Sequence, residues 1–150
     1  KGDAGERMYR EDRITAIDEG TTQLQVVAAT RYVTNGSFLN QIRDYEKLDV
    51  APELEGLKNR LKDMADKYSA AVAQVTEDKD QEFLDFCARR LVEMASHLIM
   101  SHLLLQDATR NSELFAASAN VYVRFAEAEV EKHVNFIRKF EKDALAYYRK

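Results

Sequence analysis

A chain of 150 residues is one domain's length, enough to bury about 70% of the surface that its unfolded form exposes. Its 45% apolar and 32% charged residues exclude a disordered polar tract, and no run of about 18 uncharged apolar residues offers a membrane span. The net charge of −4, from 22 basic and 26 acidic residues interleaved along the chain, leaves no basic stripe for a phosphate backbone, so nucleic acid is not an expected partner.

One proline, Pro52, and five glycines leave few obligatory breaks, so helix is the default expectation. Residues 1–17 read as a short helix with Met8, Tyr9 and Arg13 on neighbouring turns, followed by a loop ending in Asp18, Glu19 and Gly20. Thr21 or Thr22 caps a helix in which Leu24, Val27, Ala28 and Tyr32 recur at helical spacing. Asn35 and Gly36 interrupt it, and Ser37 starts a second piece carrying Phe38, Leu39 and Ile42. The LDVAPELEGL stretch is a connection that places Pro52 near the first position of the next helix.

From Pro52 to Val75, Leu54, Leu57, Leu61, Met64, Tyr68, Ala71 and Val75 step by three and four, as one helix face does. Thr76 to Lys79 is a polar break. A further helix over 80–108 carries Leu84, Cys87, Leu91, Met94, Leu98 and Leu105, and its SHLIMSHLLL segment, apolar nearly all round, belongs at the centre of the core. The last helix, 112–148, repeats Leu114, Ala117, Val121, Phe125, Ala128, Phe136, Phe140 and Tyr147 or Tyr148. At about 1.5 Å per residue it would exceed roughly 50 Å, so a bend or a projecting end is expected. No strand-like alternation and no fixed repeat is visible. The expected fold is all-α: an antiparallel up-and-down, four-helix-bundle-like array preceded by a short helix-turn-helix segment.

The EGTTQLQ stretch, Glu19 to Gln25, puts an acid and a glycine in front of a helix N-terminus. Gly20 carries no side chain to keep a ligand from the backbone, and Thr21, Thr22 and Gln23 supply amides and hydroxyls that suit a phosphate. From these residues alone two readings stand. Glu19 is a base beside a phosphorylated cofactor or substrate, or it only complements the helix dipole while Thr21 caps the helix.

The longer string ERMYREDRITAIDEGTTQLQ, Glu6 to Gln25, resembles the C-terminal domain of flavin-dependent acyl-CoA dehydrogenases, where an ERxYRDARI-type helix end leads to a YEGTxxIQ-type turn. The resemblance covers about the first 35 residues; beyond Phe38 the chain is only generally similar to the extra helical region of longer members, such as very-long-chain enzymes. It implies that Glu19 is the catalytic base, taking the α-proton of the acyl thioester while hydride leaves the β-carbon for FAD, which gives a trans-2-enoyl-CoA. It places Gly20 at a substrate-contacting position and Thr21, Thr22 and Gln23 at positions contacting FAD. It also implies an acyl-CoA substrate, an electron-transfer flavoprotein or similar acceptor, and a homo-oligomer. One departure stands out: the residue before the base is usually aromatic in this family and here is Asp18, a carboxylate that either raises the pKa of Glu19 or reshapes the acyl pocket.

On this reading residues 1–45 end the catalytic C-terminal domain and residues 46–150 form an additional helical bundle. The family's N-terminal helical domain and β domain, which hold much of the flavin and acyl-CoA, have no counterpart in these 150 residues. The chain alone is therefore expected to be inactive and to bind FAD weakly or not at all. A reading from a different class makes it a non-catalytic helical oligomerisation or interaction module that retains the ancestral turn.

Two Glu–His pairs and the single cysteine are the remaining candidates for chemistry. Glu93 with His97, and Glu129 with His133, are four apart and share helix faces. Carboxylate-bridged metal bundles use Glu-x-x-His at three, so surface pairs or satisfied histidines are expected rather than a metal. His97 and His102 flank the most apolar segment and are assigned to helix packing. Cys87 is read as a small core residue. As a single cysteine it fits a reducing compartment and a cytoplasmic location. The apolar stripe of the last helix is assigned to the core, with an intersubunit or membrane-surface face as the alternative. Lys132, Arg138, Lys139, Lys142, Arg149 and Lys150 are mixed with acids there, so membrane association is disfavoured.

Overall fold

The computed structural model describes residues 22–77 and 79–148, with side chains from Ala28 to Tyr147. The helix expected over 1–17 and the turn at Glu19 and Gly20 lie outside these residues. Helix α1, Thr22–Thr34, ends where the sequence supplies Asn35 and Gly36. Gly36 adopts φ +79°, a left-handed conformation that suits a residue without a Cβ, and a Cβ there would meet nothing closer than Asn40 Nδ2 at 4.0 Å. Conformation, not space, selects the glycine. Asn35 Oδ1 accepts a hydrogen bond from the Ser37 amide at 2.9 Å, and α2 runs over Ser37–Glu46.

Pro52 opens a single 3-10 turn, Pro52–Leu54, that feeds α3, Glu55–Thr76. Proline suits that first position because its missing N–H has no partner to lose. Helix α4, Gln81–Arg110, starts at Asp80, whose carboxylate accepts from the Phe83 amide at 3.1 Å. Helix α5, Ser112–Lys139, starts one residue after α4 ends, at Asn111, whose side chain accepts from the Leu114 amide at 3.2 Å. That single non-helical residue reverses the chain, so α4 and α5 are antiparallel neighbours.

The ion pairs Arg60–Glu127 and Lys67–Glu131, with the bond from Gln74 Nε2 to the Ile137 carbonyl, ascend both helices together, so α3 and α5 run parallel to each other in direct contact, and α4 packs antiparallel against both. Helices α1 and α2 pack on α4 as well, so α4, like α3, touches every other α-helix. No strand occurs among the described residues. The all-α bundle expected from the sequence is the observed architecture.

Leu57, Leu61, Met64, Tyr68, Ala71 and Val75 of α3 are all buried, as their spacing requires. In α4, Cys87, Leu91, Met94, Leu98 and Leu105 are buried and Leu84 is half-buried. The SHLIMSHLLL segment is not enclosed on every side, because Met100 and Leu103 face outward.

Helix α5 corrects the sequence reading. Its buried face is Ala119, Val123, Ala126, Val130, His133 and Ile137, while Leu114, Ala117, Val121, Phe125 and Ala128, assigned above to the core, are exposed. The helix has two apolar sides, and the side carrying Ala119 and Ala126 between Val123, Val130 and Ile137 is the one packed against α3 and α4. The helix also stops at Lys139 rather than reaching Tyr148: Phe140 is extended, and a 3-10 segment, Lys142–Tyr148, follows. Phe140 packs against Phe86, with ring centroids 4.6 Å apart, and Leu145 is buried. The end therefore folds back onto the bundle instead of projecting. Phe136 belongs to the same aromatic cluster, and Tyr147 is exposed.

Candidate functional site

Of the residues expected to form the site, Glu19, Gly20 and Thr21 lie outside the described residues. Thr22 and Gln23 open α1, and for these only the backbone is described. The first-turn amides of a helix have no intrahelical carbonyl to bond, and together with hydroxyls they form a donor set that suits a pyrophosphate. These residues fit the phosphate portion of FAD in that sense. What fixes the helix lies at its other end, where Val33 and Thr30 are buried and Tyr32 meets Phe38 with centroids 5.7 Å apart. Arg31 lies over the Tyr32 ring at 5.4 Å. The N-terminus of α1 is thus carried on a helix anchored to the bundle through α4.

A polar seam between α4 and α5 gathers several titratable groups. His133 Nε2 lies 3.0 Å from Glu93 Oε2, a contact in ion-pair range but out of hydrogen-bond alignment. Glu93 also accepts from Arg89 at 2.8 Å. Burial pushes the Glu93 carboxyl up, but Arg89, His133 and Lys132 outweigh it and the net shift is downward. Burial holds the His133 imidazole below its usual range against the opposing pull of Glu93. His97 Nδ1 is 3.1 Å from the Tyr122 hydroxyl, and its ring meets Phe125 edge-on at 5.4 Å. Glu93 and His97 therefore reach across to α5 rather than to each other, while Glu93 also pairs with Arg89 on its own helix. Glu129 pairs with Lys132. The crossing partners could not be read from spacing within one helix, since they depend on the register of α4 against α5.

No group of three or more His, Cys, Asp or Glu that could hold a metal occurs among the described residues. His102 is buried with its ring stacked on Tyr45 at 5.8 Å, and burial with the nearby Lys58 charge lowers its pKa to about 4. Cys87 is buried among core residues, and burial raises its thiol pKa to about 11, which suits packing and not nucleophilic chemistry. No described helix is long and apolar enough to cross a membrane.

Three concave surfaces are relevant to binding. A polar groove is lined by Arg43, Glu46, Lys47, Glu55, Lys58 and Lys62, with Arg43 already held by Glu46 and Asp66. A second lies between α1 and the start of α4, beside Thr30, Arg31, Gln81 and Asp85. The third is almost wholly apolar and runs along α5, lined by Leu104, Ala117, Ser118, Val121, Tyr122 and Phe125.

A family model described as acyl-CoA dehydrogenase C terminal matches residues 34–145. The chain is similar to the crystal structure of the acyl-CoA dehydrogenase family protein from Porphyromonas gingivalis, with 45% identity and a TM-score of 0.72 over 76% of this chain and 98% of that one. No curated protein matches the chain. The family match begins after the Glu6 to Gln25 pattern, so the two rest on different residues.

Proposed function

The chain belongs to the acyl-CoA dehydrogenase C-terminal family, and from that premise we propose that it is the C-terminal portion of an FAD-dependent enzyme that oxidises acyl-CoA to trans-2-enoyl-CoA. The observation that carries this reading is the succession, in one chain, of the Glu6 to Gln25 pattern and the family's helical region. In it residues 1–45 complete the catalytic domain, residues 46–150 form the added bundle, and α1 and α2 tie the two together by packing on α4.

Glu19 takes the α-proton onto its carboxylate, and its backbone amide donates to the thioester carbonyl, where negative charge develops as the proton leaves. Gly20 keeps the space beside that carbonyl open. The amides and hydroxyls of Thr21, Thr22 and Gln23 hold the FAD pyrophosphate. FAD held there would supply the hydride acceptor for the β-carbon, with an electron-transfer flavoprotein or similar acceptor to reoxidise it. The proposal includes assembly as a homo-oligomer, and it assigns the chain without its partner domains no turnover and at most weak FAD binding.

The test is Glu19→Gln in the intact protein. Removing a general base typically costs about 100- to 10,000-fold, so the variant should keep its flavin absorbance while acyl-CoA-dependent bleaching slows by that factor or more. Bleaching at a near-normal rate would place the base elsewhere. A second reading, the non-catalytic interaction module, is favoured by the exposed apolar side of α5. An intact protein that purifies colourless and reduces no acceptor with acyl-CoA would select it.

A further inference from the structure

The outward side of α5 carries an apolar stripe from Leu114 to Ala128, about 20 Å long, diametrically opposite the face that enters the core. Val121, Leu114 and Phe125 are 71%, 64% and 51% exposed, and Met100 on α4 is 46% exposed. At roughly 150–200 Å² per large side chain, these four offer on the order of 400 Å², the size at which an apolar patch on a monomer is often functional.

We propose that this stripe is a self-association surface, and that its occupant is α5 of a second copy of this chain, packed antiparallel about a two-fold axis near Val121. The order of side-chain sizes along the stripe favours that partner. Four residues after Val121 stands Phe125, and four before it Ala117; seven before it stands Leu114, and seven after it Ala128. A two-fold axis through Val121 therefore sets each bulky side chain of one copy against a small one of the other, Phe125 on Ala117 and Leu114 on Ala128, while Val121 meets its own copy. This is the self-complementarity that an isologous contact requires. The groove beside Ala117 and Ser118, walled by Leu104 and Tyr122, is the space that the partner's Phe125 fills.

Area agrees with a dimer of modest strength. A standard interface takes about 800 Å² from each partner. The four large side chains give about half, and the groove lining contributes further area, which fits assembly at micromolar concentration rather than an obligate pair. The stripe itself carries no charge: Lys132 at its far end is paired with Glu129, and the exposed Arg124 beside it donates to the Asn120 side chain, so in the two-fold arrangement the cations belong to the hydrated rim. The inference rests on the self-association in the functional reading above and names the face that performs it.

The chain can be tested by itself, because 98% of a solved chain sharing this fold is this same region. Sedimentation at micromolar concentration should show a dimer, and Val121→Glu should make it a monomer with unchanged helical signal, since Val121 touches solvent, and with the melting temperature of a wild type diluted until it is monomeric. Ala73→Glu, on the outer face of α3, should leave the dimer intact. In the intact protein, Val121→Cys should form a disulfide to its own copy under mild oxidation, because identical residues at the axis can come within the span of about 4.4–6.8 Å that a disulfide needs. A wild-type chain that is monomeric at all concentrations overturns self-association and the face together. A dimer that survives Val121→Glu, with no Val121→Cys crosslink, overturns the face alone and leaves self-association standing. Binding of the wild-type monomer to phosphatidylcholine vesicles, lost in Val121→Glu, would replace the second copy with a lipid surface.

Discussion

At the scale of single residues, burial sets the protonation of His102 and His133 more than charge does. His102 is enclosed by the bundle, stacks on Tyr45, and has an Nε2 with no hydrogen-bond partner. A proton added to that ring would gain no partner and would lie near Lys58, so its pKa falls to about 4 from 6.5. The unfolded chain takes up this proton as pH drops through 6.5, whereas the folded chain resists until about 4. Stability is complete above 6.5 and declines between those values, by about 2 kcal/mol at pH 5 from this residue. His133, also shifted downward by burial, acts in the same sense, whereas Glu93 and Glu129 lose their contribution only at lower pH, where carboxylates protonate. A His102→Phe variant removes one titrating group and keeps a ring against Tyr45. Urea denaturation at pH 7.5 and pH 5 should show a smaller loss for the variant than for the wild type, and equal losses would assign the pH sensitivity to the other groups.

At the scale of helices, the long elements were legible because a single apolar face repeats through them. In α3 every residue assigned to the core is buried, and the Asn35–Gly36 break and Pro52 mark real ends. Helix α5 was not legible, because two apolar stripes compete on it and large side chains drew the assignment. What decides between them is closeness of approach: Ala119 and Ala126, on the face that touches α3 and α4, let the helix axes come near enough for Val123, Val130 and Ile137 to interdigitate with the facing residues. Size along one helix does not report on the neighbour it meets. Ala126→Leu should therefore lower stability by about 1–3 kcal/mol through overpacking, although it makes the helix more hydrophobic. Chemical denaturation of this variant decides the point, and an unchanged midpoint would mean that the contact has spare room. The proposed site differs in kind. Glu19 to Gln23 are proposed from a local motif that lies within one stretch of sequence, whereas the Glu93–His133 and His97–Tyr122 contacts join residues 40 and 25 positions apart through the register of two helices.

For the whole molecule, the placement of α4 governs how it should come apart. This helix touches α1, α2, α3 and α5, and its buried residues run nearly its full length, from Phe83 to Ala108. Removing any one neighbour would uncover a row of them. Each large aliphatic or aromatic side chain returned to water costs about 1.5–3 kcal/mol, so a state that has lost α5 or α3 alone gives up much of the 5–15 kcal/mol that typically holds a domain together. Ties between α3 and α5 reinforce this, since Lys67 bridges Asp63 on its own helix and Glu131 on the other, which raises its pKa to about 12. The aromatic cluster of Phe83, Phe86, Phe136 and Phe140 further locks the start of α4 to the end of α5, with Arg90 lying 3.7 Å over Phe136. The chain should therefore melt in one transition. Far-ultraviolet circular dichroism should show helix with little strand, and the near-ultraviolet signal of the buried Tyr68 and its aromatic neighbours should disappear at the same midpoint. Two separated midpoints would show that α1 and α2, or the folded-back segment after Phe140, form a unit independent of α4, and a substantial sheet signal would overturn the bundle itself.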